Sequence, residues 1–209
     1  MAERRAQDVL DFWFGRGPQD AHSLEQHMRI WFGGDEPPEI RRLRDDDIDR
    51  RFGEVVQRAA RGELDAWATS PHRRLGLILL LDQFPRNIYR GTPAAFATDE
   101  AALSLAFNGM HTGADAALTT IERIFFYMPL QHAESQAVQE ESVLAYQRLL
   151  QEAPAPLHGT FASCLAFAQQ HRDIVQRFGR FPHRNEALGR RTTADEDEYL
   201  RGNPNSFGQ

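Results

Sequence analysis

Lysine is absent from this chain. All 24 basic residues are arginines, out of 209 residues in total. Without lysine there can be no Schiff base, no pyridoxal-phosphate anchor and no lysine of a phosphate-binding loop. A strong base that contacts a ligand must therefore be a guanidinium, which binds carboxylate or phosphate through paired hydrogen bonds and keeps its proton.

Cysteine is almost absent too, and Cys164 is the single example. One cysteine allows no internal disulfide and no multi-cysteine zinc site. Cys164 also lies seven residues before His171, about 10 Å along a helix axis, which is too far for a cysteine–histidine pair. We expect it to be a small core residue.

Long apolar runs are missing as well. The longest nearly unbroken one, residues 75–81, ends at Asp82 and is too short to span a bilayer. The first residues lack the apolar core of a signal peptide, so we expect a cytoplasmic protein without a membrane partner. The net charge of −6 argues against nucleic acid as a partner, because phosphate neutralisation requires a basic face. The oligomeric state stays open.

The hydrophobic pattern predicts an all-α fold. Apolar residues recur at helical spacing in nearly every segment, and no segment alternates with period two for long. Connections are short, so we expect antiparallel helix pairs forming one domain over residues 1–200, with a frayed tail at 201–209. The main predicted helices are 4–14, 21–32, 38–61, 71–84, 133–151, 160–178 and 194–200.

Several details of these helices are specific predictions. The helix at 71–84 is apolar all round over 75–81, which is typical of a central buried helix, and we expect Pro85 to end it. Gly179 is predicted to end the helix at 160–178. Three apolar side chains are assigned to buried helix faces: Ile40, Leu43 and Leu144.

Three polar segments are expected to form one site: 81–87 (LDQFPRN), 129–136 (PLQHAESQ) and 170–191. The last holds six arginines and two acids, a local balance of 6 − 2 = +4. Arginines there and in 81–87 can bind an anion, with nearby carboxylates to orient them. The candidate ligand-binding residues are Asp82, Arg86, Asn87, Arg177, Arg180, His183, Arg184 and Asn185.

A second possibility for these segments is acid–base catalysis. A buried histidine beside a carboxylate can act as a general base, for example in a hydrolase. Asp82, Asp173 or Glu134 would orient the histidine. The candidate catalytic residues are His171, Asp173, His132 and Glu134.

Metal binding is disfavoured. His132 and Glu134, like His171 and Asp173, are two residues apart, and side chains at that spacing on a helix point about 200° apart. We predict no metal site and no cofactor.

Three functions remain open: a module that binds an anionic small molecule or a peptide carboxylate, a hydrolase, and a polar network that only stabilises the fold. In the last case FPRN (84–87) and FPHRN (181–185) simply end helices.

The segments LDQFPRNIYRGTPAAFATD, FFYMPLQHAES and HRDIVQRFGRFPHRNEALGR resemble a bacterial family of uncharacterised proteins, the domain-of-unknown-function family number nine hundred and twenty-four. The resemblance covers nearly the whole chain. It implies an all-helical, tetratricopeptide-like domain and no established activity. Its motif positions here are Asp82, Gln83, Pro85, Arg86, Asn87, His132, Glu134, His171, Asp173, Arg177, Gly179, Arg180, Pro182, His183, Arg184 and Asn185.

Overall fold

A computed structural model describes residues 2–17, 27, 31 and 37–203. These residues form helices joined by turns and short 3-10 segments, and no strand occurs among them, so the all-α prediction is confirmed. In chain order the helices are α1 (Ala2–Phe14), α2 (Pro38–Ala60), α3 (Pro71–Ile88), α4 (Asp99–Thr112), α5 (Thr120–Phe126), α6 (Met128–Gln131), α7 (Gln136–Glu152), α8 (His158–Phe178) and α9 (Ala194–Gly202).

Helix α3 is the central element. It packs against α1, α2, α4 and α5, and its residues from Leu75 to Arg86 are all buried. A helix that is apolar around its whole circumference can be stable in water only when neighbours cover every side. The prediction of a central helix here is confirmed. Every polar group that α3 carries in this span is thereby placed inside the protein.

Two pairs of consecutive helices pack against each other. Helix α2 packs along the central α3, and α7 packs along α8, with residues 61–70 and 153–157 as the connections. Aromatic side chains fill the space beside α3. The ring of Phe84 lies 5.1 Å from that of Phe52 and 5.5 Å from that of Trp13, between centroids. Such tilted contacts fix the helices relative to one another.

The prediction that Pro85 ends this helix was wrong. Helix α3 continues through Pro85 to Ile88. Proline has no N–H to donate to the carbonyl of Leu81, four residues earlier. The hydroxyl of Thr98 donates to that carbonyl instead, at 2.6 Å. This tertiary hydrogen bond satisfies the backbone group that the proline would otherwise leave unpaired, and it keeps Asp82 and Arg86 on one buried helix.

Three buried-face assignments were also wrong. Ile40 and Leu43 are 49% and 66% exposed, because the buried positions of α2 begin only at Ile48. Leu144 is 50% exposed on α7. The adjacent residues Val143 and Ala145 are buried, so they belong to the inward face of α7 and Leu144 points outward.

Other boundaries follow the sequence signals closely. Gly179 adopts a left-handed conformation with φ of 71° and ends α8 as predicted. Helix α9 starts after Thr193, which forms a capping box with Glu196, and continues through Arg201 and Gly202 into the expected tail. The predicted helix at 21–32, apart from His27 and Trp31, and the tail residues 204–209 lie outside the described residues. None of the helices in the described part combines the length and apolarity needed to cross a bilayer.

Candidate functional site

Asp82 occupies the centre of the polar cluster on α3. Its side chain is fully buried, with Oδ1 lying 2.7 Å from Nδ1 of His132 and Oδ2 accepting a 2.5 Å hydrogen bond from Gln83. Arg86 lies 3.4 Å from Oδ1. Burial opposes ionisation of Asp82, but its interactions with His132 and Arg86 and the bond from Gln83 hold its pKa well below its usual range. Asp82 is therefore a buried carboxylate with both oxygens engaged.

Arg86 bridges Asp82 to a carboxylate that the sequence did not suggest. Its Nη1 donates to the Asp82 carbonyl at 2.7 Å, and its Nη1 and Nη2 bind the two oxygens of Asp99 at 2.8 and 2.9 Å. Asp99 is the first residue of α4 and resembles an ordinary acidic helix start. Burial opposes protonation of Arg86, but Asp82 and Asp99 raise its pKa above the usual value. Arg86 is thus already engaged by two acids.

Arg184 approaches the same Asp99 but is held more loosely. Its Nη1 donates to Oδ2 of Asp99 at 3.3 Å, and its guanidinium carbon lies 4.8 Å from the Phe96 ring centroid and 4.5 Å from that of Phe181. The side chain is only 7% exposed, and its buried Nε has no hydrogen-bond partner within the ranges that the structure describes. Burial, with a contribution from Arg86, lowers the Arg184 pKa to about 10, so it stays charged at neutral pH.

Three histidines border these charges. The ring centroids of His132 and His171 are 6.4 Å apart, and Phe181 lies 5.4 Å from His171 and 5.5 Å from His183. The Nδ1 of His171 is 2.8 Å from the Phe167 carbonyl. Burial lowers the pKa of His171 and of His183 to about 3, and burial with the charge of Arg86 lowers that of His132. All three imidazoles are therefore neutral near pH 7.

A second network holds the segment that carries Phe181 and Arg184. Glu134 accepts a 2.8 Å hydrogen bond from the amide of Phe181 and two bonds from Arg190, at 2.7 and 3.0 Å. Arg190 also donates to the Phe181 carbonyl and to Asn185. We call this arrangement of Glu134, Arg190 and the Phe181 backbone the clasp. It places Glu134 and Asn185 in support of the cluster and not within it.

Arg180 also serves the C-terminal segment. It forms a two-point pair with Glu196 at 2.7 and 2.9 Å, and Asn185 donates to the same carboxylate at 3.2 Å. The hydrogen bonds from Arg180 lower the pKa of Glu196 to about 2, against the opposing effect of burial. Arg180 was predicted to bind ligand, but its guanidinium is already paired within the chain.

The remaining predicted residues lie apart from the cluster. Asn87 donates to Asp45 at 2.9 Å, and Arg177 stacks on the rings of Phe178 and Tyr199. Asp173 is 62% exposed and pairs with Arg172 at 2.7 Å. The prediction that Asp173 could orient His171 needs correction. Asp173 lies two positions after His171 on the same helix, and side chains at that spacing point in nearly opposite directions.

The cluster is nearly closed to solvent. Its partly exposed members are Phe96, Asp99, His132 and His183. The side chains of Asp99 and His132 are 19% and 13% exposed. A cleft of about 190 Å³ lies elsewhere, and its lining includes Asp115, Arg123 and Tyr127 but no predicted site residue. Across the described ranges, no group of three or more His, Cys, Asp or Glu side chains is arranged to hold a metal ion.

Residues 9–203 match the model of a family described as bacterial protein of unknown function, DUF924. The chain belongs to this family. The resemblance noted in the sequence is thereby confirmed. The chain is also similar to a solved structure, the protein of unknown function ATU0120 from Agrobacterium tumefaciens. The two share 39% identity over 97% of this chain and 99% of the other, with a TM-score of 0.76. No curated protein matches the chain.

Membership of DUF924 accounts for the fold and names no activity. The relative from Agrobacterium is likewise described as a protein of unknown function. What the polar cluster does must therefore be argued from its own contacts. Those contacts divide the predicted site into a buried core and a surrounding frame. The core comprises Asp82, Arg86, His132, His171, His183 and Arg184, with Gln83, Phe96, Asp99 and Phe181 as residues that sequence reasoning did not assign to it.

Proposed function

We propose that this protein binds a small anionic ligand, with Arg184 as the residue that contacts the anion. The observation that carries the proposal is the incomplete pairing of a buried guanidinium. Arg184 is 7% exposed, yet among the described residues it has one hydrogen bond, of 3.3 Å to Asp99. Its Nε, like that of Arg86, has no partner there, but Arg86 differs in that its Nη1 and Nη2 are both bonded to Asp99. Buried polar groups in proteins are nearly always hydrogen-bonded.

The surroundings of Arg184 favour an anion as the missing partner. Phe96 and Phe181 contact the guanidinium, and stacking on a ring leaves the N–H groups at the guanidinium edge available. The acids Asp82 and Asp99 are both engaged by Arg86. A carboxylate or phosphate would complete the bonding of Arg184 with charge-assisted hydrogen bonds, each stronger than a neutral one.

The small exposed area limits the size of the group that enters. Only Phe96, Asp99, His132 and His183 are partly exposed among the residues of the cluster, so the cluster suits the terminal carboxylate or phosphate of a small molecule or peptide. A large polyanion such as nucleic acid is not the proposed ligand, in keeping with the net charge of −6.

We also propose a cytoplasmic protein whose two helix pairs are tetratricopeptide-like. Its single cysteine is buried and free, which suits a reducing compartment.

The test is a thermal-shift titration with adipate and phosphate, using neutral adipamide as the matched control. A ligand at a hundred times its Kd adds about 2.7 kcal/mol of stability, so the expected result is a clear rise in melting temperature with an anion and none with adipamide. The rise should vanish in Arg184→Gln and persist in Arg42→Gln, which alters an exposed arginine on α2. Equal rises in both variants would refute the proposal.

A structural role for the cluster predicts a different pattern. Arg184→Gln would then change the melting temperature without ligand, and no anion would change it further in the wild type. Because a buried network residue affects stability in either case, the ligand-dependent difference between variants decides between the two roles.

A further inference from the structure

We infer that His132, oriented by Asp82, is a general base that hydrolyses an ester of the anionic ligand bound at Arg184. This inference rests on the proposed function and adds a reaction to it. The substrate class is a small carboxylic ester that carries a second, free carboxylate. His132 would be the catalytic residue and Asp82 the positioning residue.

The first observation is the one-sided bonding of His132. Its Nδ1 lies 2.7 Å from a fully buried carboxylate. An ionised carboxylate only accepts, so Nδ1 carries the proton and Nε2 has the free electron pair. No hydrogen bond to Nε2 occurs within the described part of the chain, and Nε2 is not among its buried unpartnered atoms. Nε2 therefore keeps contact with solvent, where its electron pair can accept a proton.

The second observation is how firmly Asp82 is fixed. Gln83 binds its other oxygen, and Arg86 lies against the oxygen that faces His132. A carboxylate held in this way sets the tautomer and the direction of the imidazole and stabilises the imidazolium that forms when the base takes a proton. The side chain of His132 is 13% exposed, so a water molecule can reach the ring.

The third observation is the proximity of the anion-binding side chain. The ring centroids of His132 and His171 are 6.4 Å apart, and those of His171 and Phe181 are 5.4 Å apart. The guanidinium carbon of Arg184 lies 4.5 Å from the Phe181 centroid. A second path of contacts runs from His132 through Asp82, Arg86 and Asp99 to Arg184. Both paths place His132 and Arg184 in one polar cluster. In the inferred complex the substrate joins them, with its free carboxylate at Arg184 and its ester carbonyl beside His132.

The reaction balances with water as the sole co-reactant. Nε2 of His132 removes a proton from water as the water oxygen bonds to the ester carbonyl carbon, and the carbonyl electron pair moves onto oxygen. When that pair returns, the bond to the alkoxy group breaks and the group leaves with its electrons. The proton on Nε2 passes to the leaving group or to solvent, which regenerates neutral His132.

The dependence on pH follows from the neutral state of the base. Burial and the charge of Arg86 lower the pKa of His132 below its usual 6.5. The rate should rise with pH through that lowered pKa and then stay level, because only neutral imidazole accepts the proton. The charged groups that act on His132 are Asp82, Arg86 and Asp99. His132 couples in turn to His171 and His183, and Arg184 acts on those two histidines.

The experiment measures release of 4-nitrophenol from the mono-4-nitrophenyl ester of adipate, with neutral 4-nitrophenyl hexanoate as the matched ester. We expect the wild type to prefer the anionic ester by about tenfold or more in kcat/KM, since one charge-assisted hydrogen bond contributes about 1.5 kcal/mol or more. Arg184→Gln should remove the preference. His111→Asn, in an exposed histidine on α4, should leave both rates unchanged.

The decisive variant is His132→Asn. An asparagine amide can keep the hydrogen bond to Asp82 but offers no base, so the variant should fold and bind adipate while kcat falls by about a hundredfold or more. Wild-type turnover by His132→Asn would overturn the inference. So would wild-type protein that binds adipate through Arg184 and hydrolyses neither ester. If adipate itself fails to bind, the proposed function fails first, which separates the two failures.

Discussion

The hydroxyl of Thr98 donates to the carbonyl of Leu81, the helical acceptor that Pro85 leaves without a donor. This 2.6 Å bond joins the residue before α4 to the middle of α3. Thr98→Val removes the hydrogen-bond donor of this buried carbonyl. The free energy of unfolding, measured in urea, should therefore fall by about 1–2 kcal/mol. Pro85→Ala restores an N–H to Leu81, so it should reduce the cost of Thr98→Val. Simple additivity of the two substitutions would contradict this role.

Asp99 joins the two buried arginines, as both Arg86 and Arg184 donate to it. Asp99→Ala leaves two buried positive charges facing each other, so the free energy of unfolding should fall by about 3 kcal/mol or more. Guanidinium chloride unfolding measures the loss. Glu100→Ala, at the next and exposed position of α4, serves as the control and should change stability by less than about 0.5 kcal/mol. Similar losses for the two variants would argue against the buried pairing.

The clasp should hold the Phe181 segment in place and weaken in acid. Burial opposes ionisation of Glu134, but bonds from Arg190 and the Phe181 amide lower its pKa below the usual 4.5. A lowered pKa in the folded state gives stability that is present above pH 4.5 and lost as pH falls through the folded value. Glu134→Gln should therefore speed amide hydrogen exchange at Phe181 near neutral pH.

The control for the clasp is Glu140→Gln, an exposed glutamate on α7. It should leave exchange at Phe181 unchanged. Slow exchange at Phe181 in Glu134→Gln, equal to that of the wild type, would mean that other contacts hold this segment.

Much of the fold follows from local sequence signals. The all-round apolar stretch of α3 requires a central position, and Gly179 supplies the left-handed residue that ends α8. Pro85 shows the limit of such signals. The residue before a proline disfavours helical backbone angles. Here the hydroxyl of Thr98, thirteen residues after Pro85, donates to the Leu81 carbonyl that the proline leaves without a donor. A prediction from the residues next to Pro85 cannot include this hydrogen bond, because Thr98 belongs to another element.

The sequence predicted only part of the candidate site, again because some partners are distant along the chain. Asp82, His132 and Arg184 stand out because charged residues flank apolar helices. Asp99, Arg190 and Glu196 carry no such signal, since each resembles an ordinary surface charge. Their partners are distant along the chain: Arg184 is 85 residues from Asp99, and Arg190 is 56 from Glu134. Only packing brings these pairs together, and it also separates Asn87, Asp173 and Arg177 from the cluster.

The buried neutral histidines should make stability depend on pH. The pKa of His171 and of His183 is lowered by burial to about 3, against 6.5 in the unfolded chain. Between these values the unfolded chain binds more protons, so stability should fall as pH decreases from 6.5 toward 3. His171→Phe should flatten this slope in melting temperature against pH. An unchanged slope in His171→Phe, with His158→Phe as the exposed control, would show that His171 does not titrate in this way.

The proposed function requires the Nε of Arg184 to meet an anion, and side-chain nitrogen NMR observes that atom directly. The Nε–H signal is assigned by its loss in Arg184→Lys, and adipate is then titrated into the wild type. The predicted result is a saturable shift of the Arg184 Nε–H signal together with slower exchange of its hydrogen, and no shift with adipamide. An Arg184 signal that stays fixed while adipate binds elsewhere, or while nothing binds, would contradict the account.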